Sequence, residues 1–324
     1  MEHDPANVSA YLARGNCYQD SGDYEHAVQD YENIVNLRPS DRQLAIAYVN
    51  LGHIHYDRDP DRAIDDYGKV IKAAVMPLNL RAYYNRATLF EMRNDYSRAI
   101  NDYSELLKIS PGSTGVYGAR GRAYRALGDF RESLSDYTAQ IAKNARDSRA
   151  YDNRGDTYYA AGQFDRAMAD YTMAIDAEPG FAYAYFDRGK AHEALKAYDL
   201  ATNDYAEAIK RDPKNTRAVL GLYIVRSHAT SGSAGKELET NAKVLDPSDA
   251  LYPIVELFLG RRAADAVLAD AGDDRCERLL YVAKWHMLRG NNQNAIQELN
   301  EALASCSKAD IPYYDAKIEL TQLH

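Results

Sequence analysis

A small residue returns along this chain at intervals of 34 to 37 positions, at Gly15, Gly52, Ala87, Gly121, Gly155 and Gly189. The same company comes with it each time. A tyrosine stands four residues earlier (Tyr11, Tyr48, Tyr83, Tyr117, Tyr151, Tyr185), and a second small residue follows (Ala27, Ala63, Ala99, Ser133, Ala167, Ala201). An Asp-Tyr pair then closes each unit: Asp30-Tyr31, Asp66-Tyr67, Asp102-Tyr103, Asp136-Tyr137, Asp170-Tyr171 and Asp204-Tyr205. Self-similarity at this period predicts a row of equal supersecondary units, each burying its apolar face only against the next.

The unit predicted is an antiparallel helix pair. Gly128-Asp129 and Gly162-Gln163 supply inner turns, and Pro39, Pro111, Pro179 and Pro213 stop the second helices. Two helices come close where small side chains face each other, so Gly155 and Ala167 are expected to mark a crossing, with the tyrosines packed around it as core. Arg14, Arg86, Arg120, Arg154 and Arg188 precede small residues and match Asp30, Asp102, Asp136, Asp170 and Asp204. They predict a ladder of ion pairs, within or between repeats.

With these positions in register six times, residues 8 to 213 resemble tandem tetratricopeptide repeats. The resemblance implies an all-α, right-handed superhelix, an α-solenoid of antiparallel helix pairs. Residues 1–248 are expected to form it, with a degenerate repeat over 214–248 whose inner turn is SGSAG (231–235). Residues 249–324 are expected to hold a short helix pair and a further repeat over 276–308, with Ala283, Ala295 and Ala302 in the small positions. A capping helix in IPYYDAKIELTQL then closes the last open face. Asp4-Pro5-Ala6-Asn7 resembles Asp212-Pro213-Lys214-Asn215, which closes a repeat, so a leader or an earlier repeat is expected before residue 1.

Composition excludes several function classes. A net charge of -9 and a pI near 5.4 give no basic field for nucleic acid. No run approaches the ~18 apolar residues of a transmembrane helix. Asp57, Asp59 and Asp61 start like a calcium loop, but Arg62 stands where glycine is needed and Gly68 where glutamate is needed. The phosphate-loop likeness of TSGSAGKE (230–237) lacks its first glycine and final hydroxyl residue. His53 and His55 point to different sides of a helix, and His192-Glu193 has no second histidine. No metal site, cofactor or catalytic constellation emerges, and the chain is read as a non-enzyme.

Cys276 and Cys306 stand at the open ends of the two helices of one predicted hairpin, which are neighbours in space. A disulfide and two buried thiols are both consistent with that placement, and Cys17 is left unpaired. The stretch from LYPIVELFLG to Cys306 resembles the tail of exported bacterial repeat proteins related to the NlpI lipoproteins. That likeness implies an envelope location over a cytoplasmic one, and a role in bringing a protease and its substrate together.

In tetratricopeptide repeats the first helix of each pair lines a groove. Mapped here, the resemblance places in it Asn16, His53, Tyr56, Arg81, Tyr84, Glu91, Arg122 and Arg125, then Arg149, Asp152, Asp156, Tyr159, Tyr183, Phe186, Lys190 and Glu193. Aromatic residues among charges of both signs suit a protein or peptide segment. The family's carboxylate-clamp positions hold Leu12, Asn16, Asn50, Arg81 and Asn85, with two of three cations missing or weakly matched. The expected function is a protein-interaction scaffold. Its alternatives are an envelope adaptor delivering substrates to a protease and the regulatory arm of a separate enzyme such as a glycosyltransferase; self-association stays open. Arg154-Gly155-Asp156 is read as mid-helix framework, not as an adhesion signal.

Overall fold

A computed structural model describes residues 7–228 and 233–323. Asp4-Pro5-Ala6 and the first part of the SGSAG turn and of TSGSAGKE lie outside the described residues. The described chain is all-α, a succession of helix pairs divided into two compact units, 1–123 and 124–324.

The first unit holds α1 (Val8–Asp20) and α2 (Tyr24–Asn36), α3 (Asp41–His55) and α4 (Pro60–Ala73), α5 (Leu78–Met92) and α6 (Tyr96–Ile109), and most of α7 (Thr114–Leu127). Each second helix packs on its own partner, α2 and α4 pack on the first helix of the next pair, and Leu106 and Leu107 of α6 share a core cluster with Val116 and Ala119 of α7. In the second unit follow α8 (Phe130–Lys143), α9 (Ser148–Ala160) with α10 (Phe164–Ala177), α11 (Ala182–Ala194) with α12 (Tyr198–Arg211), and α13 (Thr216–His228) with the short α14 (Ala234–Asn241). Then come α15 (Tyr252–Phe258), α16 (Ala264–Ala269), α17 (Arg275–Met287) with α18 (Asn292–Ser305), and α19 (Ile311–Leu323).

Local chemistry sets these boundaries. The side chains of Asp23, Asp59 and Asp95 cap α2, α4 and α6 by accepting a first-turn amide, and Pro60 opens α4 where no amide donor is needed. The inner turn before α10 uses a left-handed residue, Gly162 (φ 73°), and Asn94 takes the same conformation before α6, whereas the turn between α3 and α4 has none.

The tyrosines of the Asp-Tyr pairs are the core. Tyr31, Tyr67, Tyr103, Tyr137, Tyr171 and Tyr205 are all at most 1% exposed. The nearest neighbour of the repeat glycine is a tyrosine ring. A Cβ on Gly155 would lie 2.6 Å from Cε1 of Tyr171, and one on Gly15 would lie 2.8 Å from Cε1 of Tyr31. A small residue is needed because a flat ring lies against the helix backbone.

The arginine ladder forms within repeats. Arg14, Arg86, Arg154 and Arg188 each give two parallel hydrogen bonds to the carboxylate sixteen residues on, those of Arg154 to Asp170 being 2.7 Å each. The remaining donor reaches the preceding repeat: Arg154 Nη1 donates to Thr138 and Arg188 Nη1 to Thr172, both at 3.1 Å, and Arg120 Nη1 donates to Ser104 at 2.9 Å. The second repeat has Leu51 at the arginine position, and there His55 takes Asp66 at 2.8 Å. With these carboxylates almost fully buried, removing the cation would leave an uncompensated charge.

Cys276, at the start of α17, is joined to Cys306, just past α18, by a disulfide whose Cα atoms are 5.0 Å apart. Cys17 is a free, exposed thiol. Ala283, Ala295 and Ala302 are fully buried in the α17–α18 core, against which α19 packs.

Candidate peptide-binding faces

Burying a tyrosine ring leaves its hydroxyl in need of a partner. The framework tyrosines solve this by reaching residues of the first helices. Tyr31 donates to Asn16 Oδ1 (2.8 Å), Tyr103 to Glu91 (2.7 Å), Tyr171 to Asp156 (3.1 Å) and Tyr205 to Glu193 (2.5 Å). Side chains assigned to the groove are thus held from beneath by the core, which the period alone did not reveal.

In the first unit this face is polar and accessible. Asn50 Nδ2 donates to Asn16 Oδ1 (3.2 Å), and Asn85 Nδ2 approaches both Tyr67 Oη (3.2 Å) and His53 Nε2 (3.3 Å). Asparagines of three successive repeats thus enter two hydrogen-bonded groups, Asn16 with Asn50 and Asn85 with His53 and Tyr67. Beside them Tyr84 is 42% exposed with its ring against Tyr103, Tyr56 is half-buried, and Arg81 and Arg122 are exposed. Burial raises the Glu91 carboxyl above its ordinary range against the pull of Tyr103 and Arg122; burial and then Arg81 lower His53.

In the second unit the corresponding face is covered by the chain's own last helix. Lys190 Nζ pairs with Asp315 (2.9 Å), and Lys284 Nζ joins Glu193 (2.7 Å) to Glu319 (2.9 Å). Ile311 and Ile318 pack on the cluster of Tyr159 and Ala191, Tyr314 donates to the carbonyl of Arg125 (3.1 Å), and Gln322 to that of Ala194 (2.9 Å). So α19 both caps α17–α18, as expected, and lies on α9 and α11. Burial alone would lower Lys190 and Lys284, but the surrounding carboxylates hold both above the ordinary lysine range.

Of the residues assigned here from sequence, Arg125 is buried and donates to Asp156 (2.8 Å), while Tyr159, Lys190 and Glu193 meet α19 or its neighbour α17. Arg149 and Tyr183 stay exposed, and Asp152, Asp156 and Phe186 line a cavity beside α19. Arg154-Gly155-Asp156 sits inside α9, its three residues respectively paired with Asp170, packed on Tyr171 and bonded to Arg125. Sequence reasoning did not find Asp315, Glu319 or Lys284. The available signal was the spacing of Asp315 and Glu319 by four, which gives α19 one acidic stripe beside its isoleucines.

Family profiles described as tetratricopeptide repeat match residues 8–41, 43–114, 119–180 and 153–216. None of the curated proteins compared with the chain matches it. Among solved structures, a tetratricopeptide repeat protein from Parabacteroides merdae is 14% identical with a TM-score of 0.61, covering 85% of this chain and 98% of its own. MamA is 25% identical (TM-score 0.48; 53% of this chain, 94% of its own). YrrB, described as a TPR protein with an unusual peptide-binding site, is 19% identical (TM-score 0.45; 54% and 90%). With its profiles matched over most of the first 216 residues, on a succession of helix pairs, the chain belongs to the tetratricopeptide repeat family.

Proposed function

We propose that this chain is a non-enzymatic adaptor that holds short protein segments on the first-helix face of its repeats, with the face of the first unit as the open site. Proteins of this family act as interaction scaffolds, and that coarse role comes with membership. The observation that carries the finer reading is α19: in the second unit a helix of the chain already lies on this face, held by apolar contacts and by Lys190–Asp315. On the corresponding face of the first unit Tyr84 and Arg81 are exposed, and they are the anchors of this reading. Selecting displayed peptides on the full chain and measuring them against Y84A/R81A tests this. The reading expects at least about a tenfold loss, the scale of one interface hot spot; equal binding by the variant would overturn it.

A second reading is favoured by the Cys276–Cys306 bridge, since disulfides persist in oxidising compartments. Under it the adaptor works in a cell envelope and presents substrates to a protease, as the resemblance to exported NlpI-like proteins implies. A chain isolated from cells under thiol-blocking conditions with both cysteines reduced would count against it.

A further inference from the structure

Between α9, α11, α13, α17 and α19, all in the second unit, lies a cavity of about 280 Å³. Its walls are aromatic and acidic together: Tyr183, Phe186, Tyr205 and Tyr281 contribute rings, and six carboxylates face three cations. Four of the six are matched. Asp156 takes Arg125 and the Tyr171 hydroxyl, Glu193 takes Lys284, Glu277 takes Arg217 through two 2.6 Å bonds, and Asp315 takes Lys190 through Oδ2. Asp152 and Asp187 make no direct ion pair, and the cations nearest in effect, Arg125 and Lys190, are already paired with Asp156 and Asp315. Asp152 Oδ1 is buried without a hydrogen-bond partner, as is the second oxygen of Asp315, a residue only 9% exposed.

Buried acceptors left unmatched beside four paired carboxylates ask for an explanation, because each costs the desolvation of a polar group. We propose that this cavity binds a cationic group, an ammonium or guanidinium on a short apolar stem, with Asp152 and Asp187 as its counter-charges and the aromatic walls around its stem. The chemistry fits on three counts. The space is at the small end of ligand pockets, the size for a side chain or a small amine. Aromatic faces favour an organic cation over an anion or a neutral group. Among the described residues no group of three or more His, Cys, Asp and Glu side chains is arranged to hold a metal ion. Burial and the nearby Asp156 charge push Asp187 up to about 8, and burial with Asp187 raises Asp152. At neutral pH Asp187 therefore retains a proton that an entering cation displaces.

The site is separate from the first-unit face, so either proposal can fail alone. A free amine and a Lys or Arg side chain of a partner present the same group. Calorimetric titration of the full chain at pH 7 would use cadaverine, agmatine and N-acetyl-lysine methylamide, with N-acetyl-norleucine methylamide as the uncharged control. The expected result is saturable binding of the cationic probes alone, with proton release seen as a heat that changes with the buffer's ionisation enthalpy. Binding should weaken about tenfold or more in D187N and vanish in D152N/D187N, consistent with losing a buried charge pair. Tighter binding of the free amines identifies a small-molecule ligand, and tighter binding of the lysine derivative identifies a protein side chain. Because asparagine keeps the volume and removes repulsion, both variants should stay folded by circular dichroism. No binding of any probe to folded wild type, equal binding of the norleucine control, or unchanged binding in D152N/D187N would each overturn the proposal.

Discussion

Tyr171 fills the space that a Cβ on Gly155 would need, and the ring cannot withdraw because it is 1% exposed with its hydroxyl bonded to Asp156. Gly155→Ala therefore sets about 1 kcal/mol of helix propensity against an overpacked contact. We expect the contact to win, with a net loss of about 1–3 kcal/mol in urea unfolding of the folded chain. Gly115→Ala, in α7 with nothing within 4 Å, should be neutral or slightly stabilising. Both partners of the Gly155–Tyr171 contact were legible in the sequence from their period. Their meeting was not, because spacing places residues along two helices without saying which side chain of one reaches which of the other.

The α17–α18 hairpin is the element most dependent on a covalent tie. Its disulfide closes a sequence separation of 30, so reduction, or Cys306→Ser, is expected to lower stability by about 3–4 kcal/mol in the chain-entropy account. Hydrogen exchange with and without reductant should show the loss concentrated in α17, α18 and the α19 packed on them. That α19 is a helix could be read from its apolar spacing and Pro312 near its start. Its second seat on α9 and α11 could not. The bonds that define it join residues 189 and 128 positions apart, Tyr314 to Arg125 and Gln322 to Ala194, and no local pattern encodes such a separation. For the same reason the acidic cavity was invisible beforehand, although Asp152 and Phe186 had been picked out singly.

At the scale of the molecule, helix pairs that touch mainly their chain neighbours give stability that is summed locally. Tyr31→Ala removes a fully buried ring at a cost of about 3–5 kcal/mol. Its effect should stay near the lesion: faster amide exchange in α1 to α3, with α9 to α12 unchanged. A uniform rise across the chain would show a longer cooperative range than these contacts provide. The arginine ties carry a last consequence. Arg154 reaches sixteen residues forward to Asp170 and sixteen back to Thr138, and Arg188 does the same between Asp204 and Thr172. Each arginine is thus a gauge of chain length on both sides. A one-residue insertion on either side pulls a partner out of reach, whereas adding or losing an entire repeat leaves every gauge satisfied. The second repeat shows the alternative: from Gly52 to Tyr67 it is one residue shorter than from Gly15 to Tyr31, and there the arginine is gone and a histidine holds the aspartate. A lineage carrying such ties can lengthen or shorten by whole repeats far more readily than by single codons.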